Sequence, residues 1–157
     1  MKLLNRLLKP ETAYAHCDIP CGIYDPHQAQ VAAHTVIRMV ELINALPNTT
    51  DPENTHKFSR YIAVKEEHAE QLKREIRVLW GDYFKPEHVE KFPELPELVW
   101  KVLKYGSKVR QEINIEASKE LLEMVQKIAE IFWKTKGLEP VKVKAPYPSG
   151  GEIVLHK

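Results

Sequence analysis

The chain has 157 residues, with 23 basic and 22 acidic side chains for a net charge of +1, and no basic stripe with interleaved aromatics that would point to a nucleic-acid partner. Its length is that of one domain with a substantial core. No apolar run approaches the ~20 residues of a membrane helix, and no internal repeat, low-complexity tract or glycine-rich phosphate loop is present, so a soluble chain with neither membrane nor nucleic-acid partner is expected.

Residues 1–15, MKLLNRLLKPETAYA, form a basic leader that carries +2 of the net charge (Lys2, Arg6 and Lys9 against Glu11). Ala13-Tyr14-Ala15 has the small-x-small form of a cleavage site. A secretory signal needs a continuous apolar core of at least about seven residues, and Asn5 and Arg6 interrupt the leucines before Pro10. Export is therefore disfavoured and a cytoplasmic location expected. An attached, frayed terminus or short amphipathic helix is the plain alternative to a removable leader.

The next nine residues, His16-Cys17-Asp18-Ile19-Pro20-Cys21-Gly22-Ile23-Tyr24, hold both cysteines of the chain beside a histidine. Two soft thiolates and an imidazole suit copper, zinc or nickel far better than calcium or magnesium. The Cys-x-x-x-Cys spacing is neither a thioredoxin-like Cys-x-x-Cys nor half of a zinc ribbon. A closed structural zinc site takes four side-chain ligands, and only three are local. Backbone nitrogen can supply the rest: in a chain cut before His16, the His16 amine, the Cys17 amide nitrogen and two thiolates make a planar N2S2 set, with the imidazole free for an axial position. Such donors favour Ni(II) or Cu(II). A Cys17–Cys21 disulfide, or two small buried hydrophobes, is the competing reading.

Helical periodicity dominates from Pro26 to Lys136. Asp25 reads as an N-cap and Pro26 as the first helical residue, followed by the stripe Ala29, Ala33, Val36, Val40 and Ile43. After the turn Asn48-Thr49-Thr50-Asp51-Pro52, a second helix is expected over about Glu53 to Trp80, with Phe58, Ile62, Ala69, Leu72, Ile76 and Leu79 inward and Lys65 breaking the stripe. Gly81 to Pro96, rich in proline and aromatics, reads as a structured loop. Leu98, Val102, Val109 and Ile113 mark a third helix that Gly106-Ser107 would kink or shorten. Leu122, Val125, Ala129 and Phe132 mark a fourth, over about Glu116 to Thr135. The expected fold is all-α: an antiparallel, up-and-down four-helix bundle over 26–137, preceded by a metal-binding segment at 16–25. The tail 138–157, with Val141 and Val143 alternating with lysines and Pro148-Ser149-Gly150-Gly151 leading to Ile153-Val154-Leu155, reads as a small β-hairpin or a mobile tail.

His-Cys-x-x-Pro-Cys-Gly-x-Tyr-Asp-Pro, from His16 to Pro26, resembles the nickel hook of nickel-containing superoxide dismutases. The stretch Val78-Leu79-Trp80-Gly81-Asp82-Tyr83-Phe84-Lys85-Pro86, then Phe92-Pro93-Glu94-Leu95, is similar to that family's central segment, and Ile131-Phe132-Trp133-Lys134-Thr135-Lys136 to its last helix. The likeness implies disproportionation of superoxide to dioxygen and hydrogen peroxide by Ni(III)/Ni(II) cycling, with one nickel ion per subunit held by His16, Cys17 and Cys21. It also implies a leader removed between Ala15 and His16 by a dedicated protease, a cis peptide at Pro20, and a homohexamer with each hook near a neighbouring subunit.

Around the ligands, Tyr24 can hydrogen-bond a small oxygen species or limit access to the metal, or simply pack. Asp18 can organise the hook through backbone hydrogen bonds or serve as an Asx-turn residue. By resemblance, Asp82 and Tyr83 lie in the loop brought against the hook, and Tyr83 stands beside the metal ligands; alone they would read as capping or packing residues. Lys85 could draw an anion inward or be merely solvated. The chain departs from the family where a first-helix glutamate, backed by a second-helix arginine, holds the axial imidazole: the corresponding positions are Ala32 and His68. His16 then needs another orienting partner, for which His68 or a backbone carbonyl is available. Competing functions are a nickel or copper carrier using the same hook without turnover, a structural helical oligomer with a disulfide-closed loop, and a di-iron bundle oxidase. The last needs two Glu-x-x-His pairs, and only Glu53-x-x-His56 occurs.

Overall fold

The computed structural model describes residues 21–157. Three of the four long helices start at a local side-chain signal. α1 (His27–Asn44) begins after Asp25, whose carboxylate accepts from the His27 amide at 2.6 Å, and Pro26 stands at its N-cap. The start thus lies one residue beyond the expected one. α2 (Pro52–Val78) is capped by Asp51, which accepts from the Asn54 amide at 2.9 Å, with proline in its first turn. α4 (Leu95–Gln111) and α5 (Ile115–Thr135) are joined by only three residues. Asn114 caps α5 by accepting from the Ala117 amide at 2.9 Å.

These four helices pack as a ring, α1 on α2, α2 on α4, α4 on α5 and α5 back on α1, the arrangement of an up-and-down bundle with sequential neighbours. The α1 stripe of Ala29, Ala33, Val36, Val40 and Ile43 is buried, and Ala29, Ala33 and Val36 share one core with Leu72, Ile76, Val102, Leu121, Val125, Ile128 and Phe132 from the other helices. Small residues on α1 allow close approach, while leucine, isoleucine and phenylalanine fill the space opposite. Phe58 and Ile62 are only half-buried, because the first half of α2 is the more open part of that helix. Among the described residues, no helix is long and apolar enough to cross a membrane.

Three expectations need correction. Gly81 to Pro96 is not simply a loop. α2 runs directly into a π-helical turn (Leu79–Tyr83), closed by the Phe84 amide on the Leu79 carbonyl at 2.9 Å, and a short fifth helix α3 (Pro86–Lys91) follows with Pro86 in its first turn. The third long helix stops at Gln111, leaving Ile113 outside it and exposed. It also passes through Gly106 unbroken: the Lys73 side chain packs where a Cβ would stand, its Cγ only 2.7 Å from that position. Lys65, expected to interrupt the α2 stripe, is instead 1% exposed. Its ammonium donates to the carbonyls of Val109, Arg110 (2.8 Å) and Glu112 (3.1 Å), closing the C-terminal end of α4.

The tail carries β1 (Pro140–Lys144) and β2 (Glu152–His156), paired antiparallel with Lys142 opposite Val154. Gly150 and Gly151, at φ +65° and +74°, make the turn between them. The hairpin lies against α5 and the adjoining side of α1, burying Ile153 and Val154.

Candidate metal centre

Cys21 opens the described part of the site and is exposed. Gly22 follows at φ +73°, a left-handed conformation that costs glycine nothing and lets the chain turn sharply after the thiol. Ile23 is exposed, whereas Tyr24 folds back onto the bundle and Pro26 is buried at the head of α1. His16, Cys17, Asp18 and Pro20 lie outside the described residues. Among the described residues no three metal-ligating side chains converge, and Cys21 is the described member of the expected ligand set. The donor chemistry of that set, two thiolates, an imidazole and backbone nitrogen, fits nickel and does not fit a hard cation.

The π turn positions the other side of the site. It brings Tyr83 onto the bundle, where its ring lies 5.5 Å from that of Tyr24 and 4.6 Å from that of Phe132. The two tyrosines singled out from the sequence, 59 positions apart, are therefore neighbours. His88 of α3 stacks on Tyr83 at 5.6 Å, and the Lys136 ammonium stands 4.8 Å from the ring centroid.

The Tyr83 hydroxyl is 2.7 Å from Thr135 Oγ1, and Thr135 itself donates to the Phe132 carbonyl at 2.6 Å. With the threonine proton so used, Tyr83 donates. Burial raises the Tyr83 pKa above that of an ordinary phenol. Tyr83 is thus a neutral, anchored phenol whose proton is committed to Thr135. Tyr83→Phe should keep the ring contacts and lose one hydrogen bond, costing ~1 kcal/mol and lowering the melting temperature by roughly 2–4 °C in a domain of this size; thermal unfolding measures it.

The remaining candidates are more dispersed. Asp82 and Lys85 are exposed, and the Lys85 amide donates to His88 Nδ1 at 3.2 Å at the start of α3. Ala32 is buried in the core and offers no polar atom. His68 is half-buried, with its Nδ1 2.9 Å from the Val64 carbonyl one turn earlier. That bond fixes the proton on Nδ1 and leaves Nε2 as an acceptor. Thr135, Phe132, His88 and Lys136, which hold Tyr83, have no signature in residue spacing: they reach it from α3 and from the end of α5 only after the bundle closes.

A family model described as nickel-containing superoxide dismutase matches residues 11–136. The nickel superoxide dismutase of Streptomyces coelicolor is 41% identical over 135 residues, covering 85% of this chain and 98% of that protein. The enzyme of Streptomyces seoulensis is 38% identical over the same shares. A native crystal structure of a nickel superoxide dismutase superposes with a TM-score of 0.69 at 41% identity, covering 77% of this chain and 99% of that one. Another, in the oxidized ligation state, gives 0.70 at 38% identity over 78% and 99%. The chain belongs to the nickel-containing superoxide dismutase family.

Proposed function

We propose that this chain disproportionates superoxide to dioxygen and hydrogen peroxide, with nickel held by His16, Cys17 and Cys21 after the bond between Ala15 and His16 is cut. The observation that carries this reading is the pairing of the Cys21–Tyr24 segment with Tyr83 at one end of the bundle, in a family of nickel dismutases. Nickel bound there supplies the one-electron exchange that lets two superoxide ions and two protons become dioxygen and hydrogen peroxide.

The chain's own residues have separate tasks in this scheme. Thiolates of Cys17 and Cys21 give soft, strongly donating ligands, and coordination protects them from oxidation by peroxide. Cutting before His16 frees the His16 nitrogen from its acyl group, so that it joins the Cys17 amide nitrogen and the thiolates as an amine donor. Tyr24, three residues past Cys21, places a phenol on the path of superoxide toward the ligands and limits the space there. Tyr83 backs Tyr24 through ring packing and keeps its own proton on Thr135. Asp18 organises the hook through backbone hydrogen bonds, and with Ala32 in the core, His68 or a backbone carbonyl orients His16.

The leader of residues 1–15 belongs to this reading because Ala13-Tyr14-Ala15, in the small-x-small form of a cleavage site, stands directly before His16. A processing protease and a cytoplasmic location go with that leader, whose leucine run is broken by Asn5 and Arg6. A homohexamer with one nickel per subunit completes the proposal; Ile23, at 76% exposure beside Cys21, is apolar surface for a neighbouring subunit to cover.

Superoxide turnover and nickel content, measured side by side on the chain beginning at His16 and on the uncut chain, test this function. The cut chain should hold one nickel and turn over superoxide, and the uncut chain should do neither. Full activity with residues 1–15 attached would overturn the processing step. Nickel transfer without turnover would favour the carrier reading.

A further inference from the structure

The two halves of the proposed site hang on different helices. Residues 21–26 lead directly into α1, while Tyr83 is held by Phe132 and Thr135 at the end of α5. The β1–β2 hairpin lies across both helices and falls outside the 11–136 span of the family match.

Its attachment is unusually specific. A strand edge carries N–H and C=O groups that need partners, and along the outer edge of β2 side chains of the bundle supply them. Gln30, fully buried on α1, acts as a substitute strand: its Oε1 accepts from the Val154 amide at 2.7 Å and its Nε2 donates to the Val154 carbonyl at 3.0 Å. Two residues along, the Glu152 carbonyl accepts from Gln126 Nε2 on α5 at 2.6 Å and from His34 Nε2 on α1 at 3.0 Å. One backbone carbonyl thus bonds both helices. Donation from Nε2 leaves His34 Nδ1 to accept from the Ser149 hydroxyl at 3.0 Å, so the neutral ring satisfies two groups of the hairpin. The Trp133 and His156 rings, 4.2 Å apart, extend the contact along α5 to within two residues of Thr135. On α1, Gln30 sits one turn from Pro26, and its amide donates to the Pro26 carbonyl at 3.4 Å.

We propose that the hairpin is an intramolecular clamp that fixes α1 against α5, and through them the placement of Tyr24 against Tyr83, with Gln30, His34 and Gln126 as its positioning residues. This rests on the active site lying at the Tyr24–Tyr83 end of the bundle. A hairpin that merely added stability would protect the whole bundle evenly, whereas the clamp acts on one end.

Amide hydrogen exchange on the metal-free full chain separates the two. Ile153→Asp releases the hairpin from its own side; Gln30→Met removes the strand substitute and keeps an apolar side chain of similar length should the first variant fold poorly. In either variant, exchange should accelerate at least about tenfold at Val154 and at the site-end amides of His27, Gln30 and Phe84, while Asn54 and Thr55 at the far end stay within about twofold. In the nickel-loaded chain beginning at His16, the same variants should lower kcat and shift the nickel absorption spectrum at unchanged nickel content. Free exchange at Val154 with parental rates at His27, Gln30 and Phe84 would overturn the clamp. That result needs no metal, so it stands apart from the functional reading, which falls instead if the unmutated cut chain has no dismutase activity.

Discussion

Serine at position 17 or 21 is expected to reduce superoxide turnover of the chain beginning at His16 to background while leaving the bundle folded. Sulfur contributes two things that oxygen cannot replace. A serine hydroxyl stays protonated near neutral pH, so the site loses a negative donor, and a hard oxygen does not give nickel the charge donation that stabilises its higher oxidation state. The structural cost is separable from the chemical one. Cys21 is exposed, lies before the first helix and makes no part of the core, so Cys21→Ser should change stability by no more than ~0.5 kcal/mol. Turnover, nickel content and thermal unfolding on the same preparation distinguish the outcomes. Loss of activity with an unchanged melting temperature supports the ligand assignment, and full activity in either variant refutes it.

The family and its nickel were legible because the motif that carries them is local: nine consecutive residues hold the soft donor types, and no tertiary contact is needed to recognise them. The long helices were legible for a related reason, since Ala29, Ala33, Val36 and Val40 repeat at helical spacing and the turn ending in Asp51-Pro52 marks the start of α2. Composition misled between Gly81 and Pro96. Prolines and aromatics there read as loop, although Pro86 is well placed as a first helical residue and the π turn is an extension of α2. Side chains that act at a distance were not legible at all. Thr135 reaches Tyr83 across 52 positions, and Gln30 reaches Val154 across 124. A buried glutamine in an alanine-rich helix gives no hint of which backbone group it will bond, because its partner exists only after the hairpin docks. The Ala32 and His68 positions show the limit from the other side: the residues are plain, and their meaning depends on how His16 lies.

Lys65 is the sharpest case, and its replacement carries the largest expected effect on stability. A lysine in an apolar stripe reads as a solvated break, because moving an unpaired ammonium out of water is costly. Here the stem runs through the core and the head finds three backbone carbonyls at the end of α4, those of Val109, Arg110 and Glu112. Three N–H donors meet three acceptors at a helix C-terminus, where the macrodipole favours positive charge. Burial pulls the Lys65 pKa down, Glu66 pulls it up and Arg110 adds to the lowering. Lys65→Met keeps the apolar stem and removes the donors. The Val109 carbonyl would be left buried and unpaired, and the other two partly rehydrated, for an expected loss of ~2–4 kcal/mol. Against a domain stability of roughly 5–15 kcal/mol, that is a large fraction, equivalent to a fall of roughly 5–15 °C in melting temperature. Lys65→Arg, which retains charge and donors in a bulkier fork, should fall between the two. Because the Lys65 ammonium is engaged at the C-terminal end of α4 and not at Tyr24 or Tyr83, activity per bound nickel in the folded fraction should match the parent. A Lys65→Met chain that melts within a degree of the parent would show that the three carbonyls are satisfied by water, and that the lysine is an accommodated charge, not a cap.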